Sequence, residues 1–149
     1  MELKGKHVVV TGGSRGIGEQ LARQFASRGA KVTVVARRVD ALEVVASAIG
    51  GNAVVSDLSD DLAVDGLIEH IEKTHGHIDI LVNNAGGPPP GIWSDWDRDD
   101  FIAAIDANML TPIALMKTLL PAMIDRGWGR VVNITSQSVK SPIAVLGLS

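Results

Sequence analysis

The sequence predicts an α/β fold, a doubly wound parallel sheet with helices on both of its faces. Three observations carry that reading. Five short runs rich in Val and Ile are spread along the 149 residues, and every gap between them is long enough for a crossover connection. The first gap has helical periodicity, so strand alternates with helix, which is the pattern of a parallel sheet with right-handed crossovers. Hydrophobic residues make up 46% of the chain and aromatic ones only 3%, so the interior is built from Val, Ile, Leu and Ala, the usual filling of sheets covered on both sides.

The first strand is "HVVVTG" at 7–12. After it comes "GIGEQLARQFASRG", in which Ile17, Leu21 and Phe25 recur at helical spacing and Gly29 supplies the stop. "KVTVVA" at 31–36 completes a βαβ unit, and a shorter helix follows Val39. The third strand is "NAVVS" at 52–56. Ser59 then reads as an N-cap, with Asp60 and Asp61 in the first turn of a helix running to Gly76.

"IDILVNN" at 78–84 is the fourth strand, and "GGPPPG" at 86–91 can be neither helix nor central strand, so it is a loop. The longest helix runs from near Asp97 to about Asp125, with Pro112 bending it or tightening its middle. Its apolar stripe, Phe101, Ile105, Pro112, Leu115 and Leu119, is interrupted by Asn108. A buried amide must find partners, since an unpaired one costs roughly 1–3 kcal/mol; Asn108 either caps a kink made by Pro112 or helps to build a site. "RVVNITS" at 130–136 is the fifth strand.

The length suits one domain, residues 1–149. A net charge of −3 with scattered basic residues gives no field that would draw nucleic acid or an anionic membrane. With no cysteine, disulfides and thiolate metal sites are excluded. The apolar run near the N-terminus is too short for a signal h-region or a membrane span, and a cytoplasmic protein is expected.

"TGGSRGIG" at 11–18 joins the first strand to the first helix, where backbone N–H groups and the helix dipole converge on an anion. There Gly12 permits the tight turn, Gly16 lets the backbone approach a pyrophosphate, and Gly18 lets helix and strand pack closely. Strand before and amphipathic helix after favour nucleotide binding over a purely structural turn. A P-loop would need Lys and then Ser or Thr after the last glycine, but Glu19 and Gln20 stand there. An NAD site or a methyltransferase would want an acid at the end of the second strand, where Ala36, Arg37 and Arg38 stand instead, with Arg15 inside the glycine loop. Guanidiniums suit a 2′-phosphate, so the alternatives are a solvated basic turn or a preference for NADP(H) over NAD(H).

T-G-x-x-x-G-x-G at 11–18, Asp57 after the third strand, "NNAG" at 83–86, Asn108, and "NITS" at 133–136 together resemble the short-chain dehydrogenase/reductase family, most of all its 3-oxoacyl-acyl-carrier-protein-reductase-like branch. The resemblance covers essentially the whole chain, which corresponds to the N-terminal part of a family member. It implies a Rossmann-type sheet in three layers, α/β/α, ending after the fifth strand within these residues, with the rest of the domain expected beyond residue 149 as the part that completes it. It also implies hydride transfer between NADP(H) and a carbonyl or secondary alcohol, and assembly into a homodimer or homotetramer.

Position by position, the resemblance puts Gly12, Ser14, Arg15, Gly16, Ile17 and Gly18 at the pyrophosphate and adenosine side, and Arg37 with Arg38 at the 2′-phosphate. Asp57 and Leu58 would meet the adenine, and Asn84, Ala85 and Gly86 the adenosine ribose and the middle of the cofactor. Asn83 is assigned to tying neighbouring strands. The family's catalytic residues are Asn, Ser, Tyr and Lys; Asn108 and Ser136 take the places of the first two, with Ser138 a reserve for Ser136. Counting from Ser136, the Tyr position falls on Ser149, and the Lys position lies past it. A phenol has an ordinary pKa of about 10 and a serine hydroxyl is a far weaker acid. Two explanations stay open: the residues belong to a longer molecule, or Ser149 is a natural replacement.

Two smaller signals remain. His75 and His77 flank Gly76 without an evident third ligand, so a metal clamp is not expected. Trp93 and Trp96 either touch a ligand or cap the start of the long helix, and capping is the expectation.

Overall fold

The computed structural model describes residues 3–148. Its strands are β1 (His7–Thr11), β2 (Lys31–Ala36), β3 (Asn52–Val55), β4 (Ile80–Asn83) and β5 (Arg130–Asn133). Its α-helices are α1 (Gly16–Ser27), α2 (Val39–Ile49), α3 (Asp61–His75), α4 (Arg98–Ile105) and α5 (Thr111–Asp125). The five strands form one sheet in the order β3-β2-β1-β4-β5, and every pairing is parallel. The chain winds outward from β1 to β3, then returns to β4 on the other side of β1. That reversal opens a crevice at the carboxyl ends of β1 and β4, the place where doubly wound sheets bind ligands.

Both faces are covered over β1, β2 and β4, whose residues are almost all buried, while β5 is largely exposed. Val8, Val10, Val32, Val34, Ile80 and Val82 pack under α1 and α2 with Ala22, Leu42 and Val45. On the other face Val9, Val35, Val54 and Leu81 meet Leu67, Ile68 and Ile71 of α3 and Leu115, Leu119 and Met123 of α5. The alternation of valines along β1 sends neighbours to opposite layers. By length and composition alone, the 28 residues Arg98–Asp125 would cross a membrane; burial of one α5 face in the sheet's core is instead the arrangement of a core helix.

Three local expectations are corrected. Helix α3 starts at Asp61, and Ser59 does not cap it but turns its hydroxyl to Asp57 Oδ1 at 2.8 Å. The long helix is widened in its middle rather than tightened: residues Asp106–Leu110 form a π turn, and Thr111 N–H donates to the Asp106 carbonyl five residues back. Pro112 sits at the first turn of α5, where it has no N–H to give to the Asn108 carbonyl, and a π turn absorbs that mismatch. The tryptophans do not cap α4. Asp97 does so, accepting from Asp99 N–H at 2.9 Å and Asp100 N–H at 3.1 Å while Asp100 accepts from Asp97 N–H at 3.0 Å. Trp93 is 78% exposed, and the Trp96 ring lies against Gly91.

At the opposite end of the sheet from the crevice, buried Asp79 accepts from His7 N–H at 2.9 Å and from Lys6 Nζ at 3.4 Å, with His77 Nε2 at 3.6 Å. Lys6 in turn covers the Trp128 ring at 3.9 Å. Burial pushes the Asp79 carboxyl up, but the bonds from His7 and Lys6 and the neighbouring positive charges outweigh it and hold the group below the ordinary aspartate value of 3.8. A depressed carboxyl stabilises the fold above that ordinary value, and the stabilisation is lost as pH falls through the folded value. Asp79→Ala is therefore expected to cost about 2 kcal/mol at neutral pH, because it strands a buried N–H. The gap between the urea midpoints of variant and wild type should narrow only when the pH drops below 3.8, as the charge-dependent part is lost; a gap independent of pH contradicts the assignment.

Candidate cofactor and active site

The crevice holds a cavity of about 770 Å³. Its floor is the glycine loop. Gly12 has φ +59, and a side chain there would meet Asn84 Nδ2 at 2.7 Å; a β-carbon on Gly18 would collide with the Gly12 carbonyl oxygen and come within 2.8 Å of Asn84 Nδ2. Gly16 differs: its φ is +58, yet nothing lies within 4 Å of where a β-carbon would stand. Gly12 and Gly18 thus meet protein, and Gly16 faces open space.

Asn84 is the reason for the first two contacts. Its Nδ2 donates to the Thr11 and Gly12 carbonyls at 3.3 and 3.2 Å, and its N–H donates to Thr11 Oγ1 at 2.9 Å, while Thr11 Oγ1 donates to the Asn84 carbonyl at 3.0 Å. The Asn84 amide therefore stitches the loop after β1 to the loop after β4. Asn83 Nδ2 donates to Asn133 Oδ1 at 2.8 Å, which ties β4 to β5. Asn83 Oδ1 is buried without a partner among the described residues, in the cavity wall.

Ser14, Arg15, Ile17, Arg37 and Arg38 line the same cavity, and among the described residues none of the three arginines forms an ion pair within 4.0 Å. The Arg15 side chain does not cap α1, so the first N–H groups of that helix are left as donors with the positive end of its dipole behind them. Glu19, in the first turn, is drawn off by Arg23 at 2.9 Å. Asp57 lines the same cavity, within reach of the Arg37 charge. The bond from Ser59 Oγ, then that from Ser59 N–H, and to a lesser degree the Arg37 charge hold its carboxyl below the usual aspartate range against slight desolvation. Leu58, Ala85 and Gly86 complete this side of the wall.

The other end is formed by the π turn and the residues after β5. Asn108 lines the cavity but is not the buried amide expected: it is exposed, and its Nδ2 donates to the Ala104 carbonyl at 2.9 Å. Of the two alternatives for Asn108, the local one is seen in its bond to Ala104, and its place in the cavity lining leaves the other open. Asn133, Ile134 and Thr135 line the cavity, whereas Gly18, Ser136 and Ser138 do not. Gly18 is sealed under the loop. Ser136 begins the short 3₁₀ turn Gln137–Val139 and accepts from Ser138 N–H at 3.1 Å, with the two hydroxyls in direct hydrogen bond. Ser149 lies outside the described residues.

Sequence reasoning passed over Thr11, Asn133 and Thr111. Thr11 opens the glycine motif and so carried a signal; Thr111 meets Leu58, 53 positions away, and nothing local announces it. His75 is shifted down by burial, then by the charges of His7 and His70, and no metal-holding group of His, Asp or Glu occurs among the described residues.

The arrangement is a glycine loop leading into a helix end without a side-chain cap, three guanidiniums without an ion pair among the described residues, and a wall of asparagine and hydroxyl groups. Residues 6–148 match the family model for short chain dehydrogenase. The chain belongs to the short chain dehydrogenase family. It is 37% identical over 158 residues to a fatty acyl-CoA reductase of Mycobacterium tuberculosis, covering 98% of this chain and 52% of that one. It is 34% identical over 147 residues to the ketoacyl reductase HetN of Nostoc, covering 95% and 51%. The chain thus spans about half the length of the curated relatives it matches.

Among solved structures, a metagenomic short-chain oxidoreductase in complex with NADP superposes with a TM-score of 0.89 at 37% identity, over 99% of this chain and 70% of the other. L-Sorbose reductase from Gluconobacter frateurii, complexed with NADPH and L-sorbose, gives 0.90 at 29%, over 99% and 59%. The sheet order, the glycine loop and the parallel register described above are those of a Rossmann-type domain of this family.

Proposed function

We propose that this chain provides the cofactor cradle and the carbonyl-polarising wall of an NADP(H)-dependent reductase acting on 3-oxoacyl or related acyl substrates. The observation that carries the reading is the convergence of Arg15, Arg37 and Arg38 on one cavity whose glycine loop, at Gly16, has no protein atom within 4 Å of where a β-carbon would stand. Planar guanidiniums match a terminal phosphate bidentately, and free helix N–H groups match a pyrophosphate. Asp57 is an acceptor for an exocyclic amine, and Leu58 flanks it. A bound nicotinamide supplies or takes the hydride, and the protein's part is to bind, orient and polarise.

Ser136 is assigned as the donor for a substrate oxygen that reaches past Thr135, since Ser136 itself lies outside the cavity lining. Its Oγ accepts the Ser138 N–H, which fixes its direction, and with Ser138 Oγ as the donor of the bond between the two hydroxyls the Ser136 hydrogen is left for the substrate. The acyl preference is supported by the names of the two relatives. The exposed apolar residues Phe101, Ile105 and Ile124, which lie outside the cavity lining, suit coverage by a second copy of the chain.

A second reading is favoured by one observation. The 149 residues contain no tyrosine, and Ser149 stands at the position the resemblance assigns to the proton donor. On that reading the protein binds NADP(H) without turnover, as a sensor or as a supporting subunit. NADPH oxidation with acetoacetyl and long-chain acyl thioesters separates the two. The reductase reading predicts turnover that falls by about 10²–10³ in Ser136→Ala, the scale of losing one polarising donor. Binding without oxidation of any thioester supports the second reading, and turnover undiminished in Ser136→Ala removes Ser136 from the chemistry.

A further inference from the structure

We propose that Thr111 is a positioning residue that couples the loop after β3 to the π turn carrying Asn108, so that occupation of the adenosine subsite stiffens the turn at the far end of the cavity. The inference rests on the cofactor reading above and goes beyond it. Thr111 is 8% exposed and acts in two directions. Its backbone N–H donates to the Asp106 carbonyl and closes the π turn. Its Oγ1 donates to the Leu58 carbonyl at 2.9 Å, across 53 residues of sequence.

The loop that Thr111 reaches is held elsewhere by bonds of short range. Asp57 accepts from Ser59 N–H at 3.1 Å and Ser59 Oγ at 2.8 Å, Asp60 N–H donates to the Asp57 carbonyl at 3.2 Å, and Ser56 N–H donates to the Ala36 carbonyl of β2 at 3.1 Å. These bonds fix the loop to itself and to β2, and the Thr111 hydroxyl ties it to the helix layer, where the Leu58 side chain also leans on the core that Leu115 joins.

The π turn is the exposed partner. Asn108, Met109 and Leu110 are exposed, Pro112 withholds a donor from the Asn108 carbonyl, and the Asn108 amide donates locally, to Ala104. Two consecutive bonds, Thr111 Oγ1 to Leu58 and Thr111 N–H to Asp106, therefore link a ligand-facing peptide to this turn between α4 and α5. A ligand that orders the loop biases the turn through them.

The test uses adenosine 2′,5′-bisphosphate, the adenosine half of NADP, so that no turnover is needed. Thr111→Val keeps the branched shape and removes the hydroxyl; Thr111→Ser restores it. Calorimetry is expected to show about fivefold weaker binding by Thr111→Val and no more than about twofold by Thr111→Ser, as one neutral hydrogen bond carries. Amide hydrogen exchange over residues 106–110 should slow on binding in wild type and Thr111→Ser but not in Thr111→Val. A merely structural role would speed exchange in Thr111→Val alike with and without ligand, while leaving ligand-induced protection intact.

Wild-type binding with no protection of 106–110 overturns the coupling, whether or not the valine variant folds, and so does full affinity with full protection in Thr111→Val. Failure of the wild type itself to bind the bisphosphate overturns the cofactor reading and the coupling with it.

Discussion

Gly18→Ala is expected to abolish cofactor binding and to lower stability by about 3 kcal/mol, the upper part of the range for overpacking a filled site. The new methyl would collide with the Gly12 carbonyl oxygen and crowd Asn84 Nδ2 at 2.8 Å. The first of these is backbone, and Asn84 is already committed to the Thr11 and Gly12 carbonyls. Relief requires α1 to lift off the sheet or the stitch between the β1 and β4 loops to open, and either one dismantles the anion-binding floor.

Gly16→Ala is the matched control. Its φ of +58 makes alanine strained, at about 1 kcal/mol, but no protein atom lies within 4 Å of the new methyl. Its effect should fall on ligand affinity, with the urea midpoint lowered only by that strain and so by much less than in Gly18→Ala. Denaturation curves and NADP titrations of the two variants decide the point. A Gly18→Ala protein as stable as wild type contradicts the packing account, and a Gly16→Ala protein of unchanged affinity contradicts the placing of the phosphates above that residue.

Arg37→Ala is expected to weaken NADP binding by about 10- to 100-fold while leaving NAD binding nearly unchanged, the scale of a charge-assisted hydrogen bond to phosphate. The reasoning is one of position. Arg37 directly follows β2, lines the cavity, and is close enough to Asp57 to help depress its carboxyl, so it sits at the end of the cavity assigned to adenosine. Arg38 and Arg15 share the wall, and Arg37→Ala with Arg38→Ala should lose more than either alone. Equal losses for NADP and NAD would mean that the guanidinium meets the pyrophosphate rather than a 2′-phosphate.

What the sequence disclosed is what local chemistry controls. The five strands announced themselves by runs of Val and Ile, and the helix stop after α1 by Gly29, whose φ of +83 only glycine adopts readily. The glycine loop was legible because its spacing is local, with Gly12 and Gly16 at positive φ and Gly18 packed against the Gly12 carbonyl. The middle of the long helix was not. Pro112 signalled a disturbance, but whether a helix tightens or widens depends on which carbonyl finds a donor, and the donor here, Thr111 N–H, also belongs to a residue held by Leu58 from another layer.

Asn108 was misread because helical spacing placed it on a buried stripe, whereas α4 and the π turn bury no residue, and Phe101 and Ile105 of that stripe are exposed with it. The pairing of Asn84 with Thr11 spans 73 residues and follows only once β1 and β4 are known to be neighbours. Ser136, chosen by its place in a motif, lies just behind the wall that Thr135 forms, because the chain turns into a short 3₁₀ segment as soon as β5 ends.

The central claim is that the cavity above Gly16, ringed by three guanidiniums, is built for a dinucleotide bearing an extra phosphate. Parallel calorimetric titrations of the unaltered protein with NADP and with NAD test it most directly. The account predicts a saturable isotherm for NADP and an affinity for NAD at least about tenfold weaker, a difference of about 1.4 kcal/mol. Equal affinities, or no heat with NADP, would contradict it.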